Sequence, residues 1–201
     1  MTPIRLNLGC GIYIKKGWIN VDKYIDIEAL KKHETYYTYA VYEKGAKFVS
    51  ADIGQLPFSD NYADVVEMSQ VIEHFPMRQI VAYMKEVYRV LKPGGKLYIT
   101  APSFNGVAAA WMEMIANPPF NLDAFIDLAE VVYGNQLCEG ESHRCPITPE
   151  FANFVLTQAG FKNGIISIAR KGTPIRQVKW IKPFKKDAVF RNDNIIIEAT
   201  K

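Results

Sequence analysis

The sequence predicts an α/β domain built on a mostly parallel sheet. Two observations carry this expectation. The first half holds five short runs that are near-continuously apolar or β-branched, and the best helical periodicity lies between the fourth and the fifth. Parallel strands are covered on both faces, so they read as unbroken apolar runs rather than as alternating ones. Strands and helices in alternation imply right-handed crossovers within one sheet.

Taken in order, Arg5–Leu8 is the first strand and runs into Gly9-Cys10-Gly11. "GWINVD" (17–22) is the second and ends in an acid; "AKFVSAD" (46–52), the third, ends in another. "YADVVEMS" (62–69) and "GKLYITAP" (95–102) are the fourth and fifth. Between these two, Pro76 suits a first helical position. Ile80, Tyr83, Val87 and Leu91 recur at helical spacing, and "KPGG" (92–95) stops the helix. Residues 103–134 read as two helices broken at Asn117-Pro118-Pro119. Asn121 caps the second, Phe125, Leu128 and Val132 share a face, and Gly134 ends it. A further helix runs from Thr148-Pro149 to Gly160, followed by strand-like runs at 164–169 and 194–200.

The bulk numbers suit one domain over residues 1–201 with a substantial core. Of the residues, 49% are hydrophobic and 22% charged, and the mean hydropathy is −0.06, ordinary values for a globular chain. No apolar run approaches the roughly 18 residues of a membrane span, and the N-terminus lacks the pattern of a signal peptide. Cys10, Cys138 and Cys145 are an odd number with no C-x-x-C pair, which suits a reducing compartment. A cytoplasmic setting is expected. The net charge of +3 is unevenly placed: residues 170–191 hold eight cations and the single acid Asp187, a local +7 that leaves −4 for the remainder.

A strand entering Gly9-Cys10-Gly11 makes a tight turn that lets a ligand approach the backbone. A dinucleotide site would want a third glycine at position 14, which is Ile14. Asp22, ending the second strand, is placed to accept both hydroxyls of a ribose. Asp52, ending the third, is placed to accept from an adenine amino group, with the Ile53 amide facing the ring.

"LNLGCG", "GWINVD", "ADIGQLPFSDNYADVV", "SQVIEHF", "EVYRVLKPGGKLYITAP" and "LTQAGF" together resemble the class I S-adenosylmethionine-dependent methyltransferases, and most nearly the methyltransferase type 11-like group. The likeness covers about residues 4–102 well and 143–169 loosely. It implies a Rossmann-like, seven-stranded, mostly parallel sheet with an antiparallel last strand, and a helical cap inserted after the fifth strand at about 103–147. It also implies S-adenosyl-L-methionine as cofactor. Gly9, Cys10 and Gly11 would pass under its methionine part, Asp22 would bind ribose, Asp52 and Ile53 adenine, and Ser69 and Gln70 would line the sulfonium end. Two departures stand out. Asn7 occupies a position where many members carry an acid, and the short interval from Gly11 to Asp22 leaves little or no room for a first helix.

Methyl transfer is an in-line displacement, so such an enzyme mainly holds its acceptor against the methyl sulfonium. A hydroxyl acceptor also needs a base. His74, after the fourth strand, and His143, before the helix that returns over the same edge, are the candidates. "QVIEH" (70–74) resembles the Glu-Val-Ile-Glu-His run with which small-RNA 2′-O-methyltransferases and some quinone-pathway O-methyltransferases bind a divalent ion. The first Glu is Gln70 here, which removes an anionic ligand for a hard cation, so no metal site is expected. Glu73, His74 and His143 are what would remain of one.

Asn117-Pro118-Pro119-Phe120 resembles the catalytic loop of enzymes that methylate amino groups, but that loop follows the fourth strand. Here it is expected to be a break between two cap helices. The basic segment 170–191, with Trp180, Phe184 and Phe190, reads as a solvated β-hairpin in preference to a nucleic-acid surface. The tyrosines of 34–42 read as packing or interface. The expected activity is methylation of a small-molecule acceptor, on oxygen rather than nitrogen, with a hint of sugar or cell-surface metabolism. An RNA methyltransferase and a non-catalytic cofactor-binding protein are the alternatives.

Overall fold

The computed structural model describes residues 2–32, 41–119, 121–136, 140–169 and 194–201. The basic segment 170–191, His33, Cys138, Phe120 and most of the tyrosine cluster lie outside them.

A seven-stranded sheet forms the centre. Its members are β1 (Arg5–Leu8), β3 (Ile19–Asp22), β5 (Lys47–Ser50), β6 (Ala63–Ser69), β7 (Leu91–Pro102), β8 (Lys162–Ala169) and β9 (Asn194–Thr200), in the order β5-β3-β1-β6-β7-β9-β8. The first five run parallel, while β9 lies antiparallel to both β7 and β8. This is the Rossmann-like sheet with an antiparallel last strand that the sequence implied. Strand order reverses beside β1, and in open sheets of this kind ligands bind at the carboxyl ends of the strands near that reversal.

The strands stay put because their side chains have nowhere else to go. Leu6, Leu8, Val21, Val66, Met68, Leu97 and Ile99 are buried in one cluster with Ile195 and Ile197 of β9. The helix α2 (Ile80–Val90) covers one face with Ile80, Met84, Val87 and Val90. It begins four residues later than Pro76 suggested, because Ile72–His74 forms a 3-10 turn and residues 77–79 a further turn. Its end differs as well: Leu91 leaves the helix to pair with Ala63, so β7 starts before Pro93-Gly94-Gly95 and takes them in, with a shift of register against β6. The helix α5 (Pro149–Ala159) packs beside α2, and Phe161, just after it, meets Tyr88 of α2 edge-to-face at 5.1 Å. Both of its ends are capped: Thr148 Oγ1 accepts from Phe151 N at 3.2 Å, and Gly160 turns left-handed at φ 104°.

No helix occupies residues 12–18, where the short spacing to Asp22 left no room for one. The two-residue strands β2 (Tyr13–Ile14) and β4 (Val41–Tyr42) pair there instead, beside the short helix α1 (Ile27–Lys31). After β7 the chain forms α3 (Phe104–Ala116) and α4 (Leu122–Tyr133), joined by tilted packing of Trp111 on Phe125 at 5.6 Å. Asn117 turns its amide back to Glu113 O at 2.8 Å, closing α3, and Asn121 Oδ1 caps α4 through Ala124 N at 3.0 Å. The Asn-Pro-Pro segment is thus a helix break. Only Leu128 of the expected apolar face of α4 is fully buried. Among the described residues no helix is long and apolar enough to cross a membrane.

Candidate functional site

The predicted cofactor residues fall along one edge of the sheet, at the carboxyl ends of adjacent parallel strands. Gly9, Cys10 and Gly11 follow β1, Asp22 ends β3, Asp52 and Ile53 follow β5, Ser69 ends β6 and Gln70 follows it. The glycine turn is built by backbone conformation and by a close neighbour. Gly9 has φ 61° and Gly11 φ 49°, the left-handed region that L side chains rarely enter. A Cβ on Gly9 would lie 2.6 Å from Cγ2 of Val71, which follows β6, so glycine is the residue that lets the two strand ends meet. Cys10 supports the turn through its backbone, donating to Val21 O at 3.1 Å and accepting from Tyr13 N at 2.9 Å. Its thiol is buried, and that burial pushes its pKa far up, so it is no nucleophile.

Asp22 is fixed by two backbone donors: Gly11 N to Oδ2 at 2.9 Å and Tyr24 N to Oδ1 at 2.8 Å. The carboxylate expected to accept from a ribose is therefore tied to the glycine turn itself. Asp52 accepts from Gly54 N at 2.8 Å through Oδ1 and pairs with Lys23 Nζ at 3.2 Å through Oδ2. A carboxylate offers about four lone-pair positions, so neither acid is saturated by these bonds. Ile53 is buried beside it. Lys23 and Tyr83 are neighbours that sequence reasoning missed. The Lys23 ammonium is held above its ordinary pKa first by its hydrogen bond to Asp52, and the Tyr83 phenol is raised by burial and then by the Asp52 charge. Lys23 follows Asp22 directly, which is the only sequence signal that marked it.

The segment beyond Ile53 is held from α2. Glu86 Oε1 accepts from Leu56 N at 2.7 Å, and Arg89 donates to Phe58 O at 2.8 Å, Leu56 O at 3.2 Å and Asp60 at 2.7 Å. Arg89 also binds Glu86 through two 2.7 Å contacts, which lowers the Glu86 pKa.

Asn7 is buried, and its amide donates to Asn20 Oδ1 at 2.9 Å and to the Tyr13 carbonyl at 3.1 Å. Both partners are acceptors, so the position calls for a donor and an acid would face two oxygens. That accounts in physical terms for the missing carboxylate. Nearby, Lys15 Nζ pairs with the buried Glu67 of β6, balancing its charge.

At the end of β6, Ser69 Oγ shares a 3.0 Å hydrogen bond with Thr100 Oγ1 of β7. Gln70 takes φ 56°, donates its backbone N–H to Thr100 O at 2.8 Å and turns its amide toward Asn194 Oδ1 at 3.3 Å. The following 3-10 turn carries Glu73 and His74. The segment before α5 closes on it: Arg144 N and Cys145 N donate to the Glu73 carbonyl at 2.8 and 3.1 Å. This brings His143, 69 positions away in sequence, edge-on to His74 with ring centroids 4.7 Å apart. Each imidazole uses Nδ1 against a backbone carbonyl, His74 with Ser142 O at 3.2 Å and His143 with Val131 O at 2.8 Å.

The electrostatics of this corner favour neutral groups. Burial, and then the neighbouring His143, push the His74 pKa down to about 4; burial lowers that of His143. Burial pushes Glu73 up to about 8, and both its carboxylate oxygens lack a hydrogen-bond partner of ordinary geometry. Glu73, His74 and His143 each offer one ligand atom, and these three atoms lie within 4.8 Å of one another.

Known proteins share both the sequence of this edge and the fold that presents it. Residues 6–99 match the family described as the methyltransferase domain. A ubiquinone/menaquinone biosynthesis C-methyltransferase of Chromobacterium violaceum is 45% identical over 49 residues, 24% of this chain. The match spans only 19% of that relative's length. An Archaeoglobus fulgidus S-adenosylmethionine-dependent methyltransferase superposes with a TM-score of 0.59 at 17% identity, covering 99% of this chain and 86% of that one. One from Methanosarcina mazei gives 0.59 at 19%, with 99% and 92% covered. Human N-acetylserotonin methyltransferase, in complex with S-adenosylmethionine, gives 0.59 at 17%, with 99% and 47% covered. The structural likenesses show the fold, and the match over 6–99 covers the strand ends that carry the expected cofactor residues. Residues 6–99 thus resemble the methyltransferase domain, and the chain shares its fold with S-adenosylmethionine-dependent methyltransferases.

Proposed function

We propose that the chain transfers the methyl group of S-adenosylmethionine to an oxygen of a small-molecule acceptor. In this reading Gly9, Cys10 and Gly11 lie under the methionine part of the cofactor and Asp22 binds its ribose. Asp52 and Ile53 hold adenine, Ser69 and Gln70 flank the sulfonium, and α3 and α4 cap the acceptor. The observation that carries it is the pairing of His74 with His143 at the end of β6, one strand from the glycine turn. The His143 imidazole is neutral at pH 7 and has Nδ1 held by Val131 O, so it keeps Nε2 for the proton that an acceptor hydroxyl loses as its oxygen attacks the methyl carbon. His74, pushed down to about 4, is too weak a base and stands beside it as an orienting group. The enzyme's main contribution is then to hold oxygen, methyl and sulfur in line. Cys10 and Cys145 as free thiols support a reducing, cytoplasmic setting. A role in sugar or cell-surface metabolism is the narrower form of the proposal.

A second reading is methylation of carbon. It is favoured by the C-methyltransferase relative from Chromobacterium violaceum, which is so named over its own full length. An activated ring carbon also needs a base to remove its proton, so His143 would serve again.

The test is release of S-adenosylhomocysteine from S-adenosylmethionine with panels of phenols, catechols and sugars, and the position of the new methyl read by NMR of the product. O-methyl products, with turnover reduced roughly 100-fold or more in His143→Gln, support the proposal. Ring-methylated products establish the second reading. Tight cofactor binding with no turnover of any acceptor rejects both and leaves a cofactor-binding protein.

A further inference from the structure

We infer that Glu73, His74 and His143 form a binding site for one divalent ion of borderline softness, with zinc as the reference case. The site does not depend on which acceptor is methylated, and a bound ion would occupy the imidazole lone pairs, so the base role proposed above belongs to the ion-free protein. It starts from Glu73, which is 2% exposed and whose carboxylate oxygens have no hydrogen-bond partner of ordinary geometry, the backbone N–H groups of Glu73 and Val71 offering only weak stabilisation. A buried carboxylate is costly unless a cation or donors compensate it. The compensating groups closest to hand are two imidazoles, and each is arranged as a ligand would be. The carbonyls of Ser142 and Val131 can only accept, so Nδ1 of each ring carries the proton and Nε2 keeps the lone pair. A ring N–H anchored to a backbone carbonyl is the usual outer-shell support of a metal-bound histidine.

Distances agree with this. The three ligand atoms lie within 4.8 Å of one another. Bonds of about 2.1 Å at tetrahedral angles need a spacing near 3.4 Å, so atoms at that limit close by about 1.4 Å, with any turn of a ring needed to bring Nε2 inward in addition. The two segments that supply the ligands are already clamped by the bonds of Arg144 N and Cys145 N to the Glu73 carbonyl.

The donor set selects the ion. Gln70 is the wrong residue for a hard cation, which is why the sequence alone predicts no metal, and the Gln70 amide indeed turns toward Asn194. Two imidazoles and one carboxylate instead suit zinc, cobalt or another first-row ion over magnesium or calcium. Three protein ligands also leave at least one position open to water or a substrate oxygen.

The experiment is a titration of the metal-free full chain with Zn²⁺ by calorimetry and with Co²⁺ by visible absorption. One ion per chain is expected, with the intense bands of low-coordinate cobalt and no thiolate charge-transfer band. Glu73→Gln and His143→Gln are each expected to weaken binding at least about 10-fold. Calorimetry with S-adenosylhomocysteine on the same samples reports whether each variant is folded. If a variant is not, side-chain ¹⁵N spectra of wild type decide: Zn²⁺ must shift Nε2 of His74 and His143. No binding up to millimolar ion, undiminished binding by folded Glu73→Gln, a thiolate band, or unmoved imidazole resonances would each overturn the site.

Discussion

Replacing Gly9 by alanine tests the link between the glycine turn and the end of β6. The structure supplies two separate penalties. A non-glycine residue at φ 61° costs roughly 1–2 kcal/mol. The new Cβ would also sit 2.6 and 2.8 Å from the two γ-carbons of Val71, which is buried and β-branched and has little freedom to turn aside. Overpacking of this kind costs about 1–3 kcal/mol. The sum, about 2–5 kcal/mol, corresponds to a fall in Tm of roughly 4–20 °C for a chain of this size. Gly11→Ala is the internal control. Its φ is 49°, but nothing lies within 4 Å of the added Cβ, so only the backbone penalty of about 1–2 kcal/mol applies. Thermal unfolding followed by circular dichroism measures both. The decisive variant combines Gly9→Ala with Val71→Ala. Removing the γ-carbons leaves only the Val71 Cβ, at 3.3 Å, so the steric part of the loss is relieved. A favourable coupling of about 1–3 kcal/mol between the two substitutions is expected. A coupling below about 0.5 kcal/mol, the scatter of independent sites, would mean that the turn and Val71 are not in contact and would refute the reasoning.

Three further outcomes follow from the same geometry. Asp22→Ala removes the acceptor of Gly11 N and the proposed ribose ligand, so calorimetry with S-adenosylhomocysteine is expected to show affinity reduced at least about 10-fold; wild-type affinity would end the ribose assignment. Asn7→Asp places a buried carboxylate against Asn20 Oδ1 and the Tyr13 carbonyl and is expected to lower stability by about 2–4 kcal/mol, read from denaturant unfolding. Arg89→Met removes charge-assisted bonds to Glu86 and Asp60 and two backbone contacts, a loss of about 1–3 kcal/mol at pH 7, and weakens cofactor binding more than the rate at saturation. Because Glu86 has its pKa lowered in the folded protein, its contribution is full above the ordinary value of 4.5 and is lost as pH falls through the folded value. The gap between Arg89→Met and wild type should therefore narrow below about pH 4, and a constant gap would show that the Glu86 pairing contributes nothing.

The parallel half of the sheet was legible because parallel strands leave a one-dimensional trace. Each is a short apolar run, and the residues that close or follow the first four, Gly9, Asp22, Asp52 and Ser69, mark the edge where ligands bind. The boundaries of α2 were not legible in the same way. Pro76 is compatible with a first helical turn, but residues 72–79 are committed elsewhere, since the Glu73 carbonyl accepts from Arg144 and Cys145 and the chain there forms a 3-10 turn. Leu91 fits the helical spacing and is pulled into β7 by pairing with Ala63. In both places a tertiary partner overrides local periodicity. The pair β2–β4 escaped notice because two-residue strands have no period to read.

The site divides along the same line. Gly9, Gly11, Asp22, Asp52 and Ser69 could be placed from sequence because each sits within three residues of a strand end. What sequence could not supply is the second half of each interaction: Lys23 on Asp52, Asn20 on Asn7, Thr100 on Ser69. The Glu73–His74–His143 corner shows why this matters. Within its local run, Gln70 argues against a metal. In the folded chain the relevant set is defined by what approaches Glu73, and one of its members comes from a segment about seventy residues on, anchored by Val131 of α4. The helices between β7 and α5, proposed as a cap, therefore have a further part to play. They fix the carbonyl that orients His143, so substitutions in α4 far from any ligand are expected to act on the chemistry through the tautomer and angle of one imidazole.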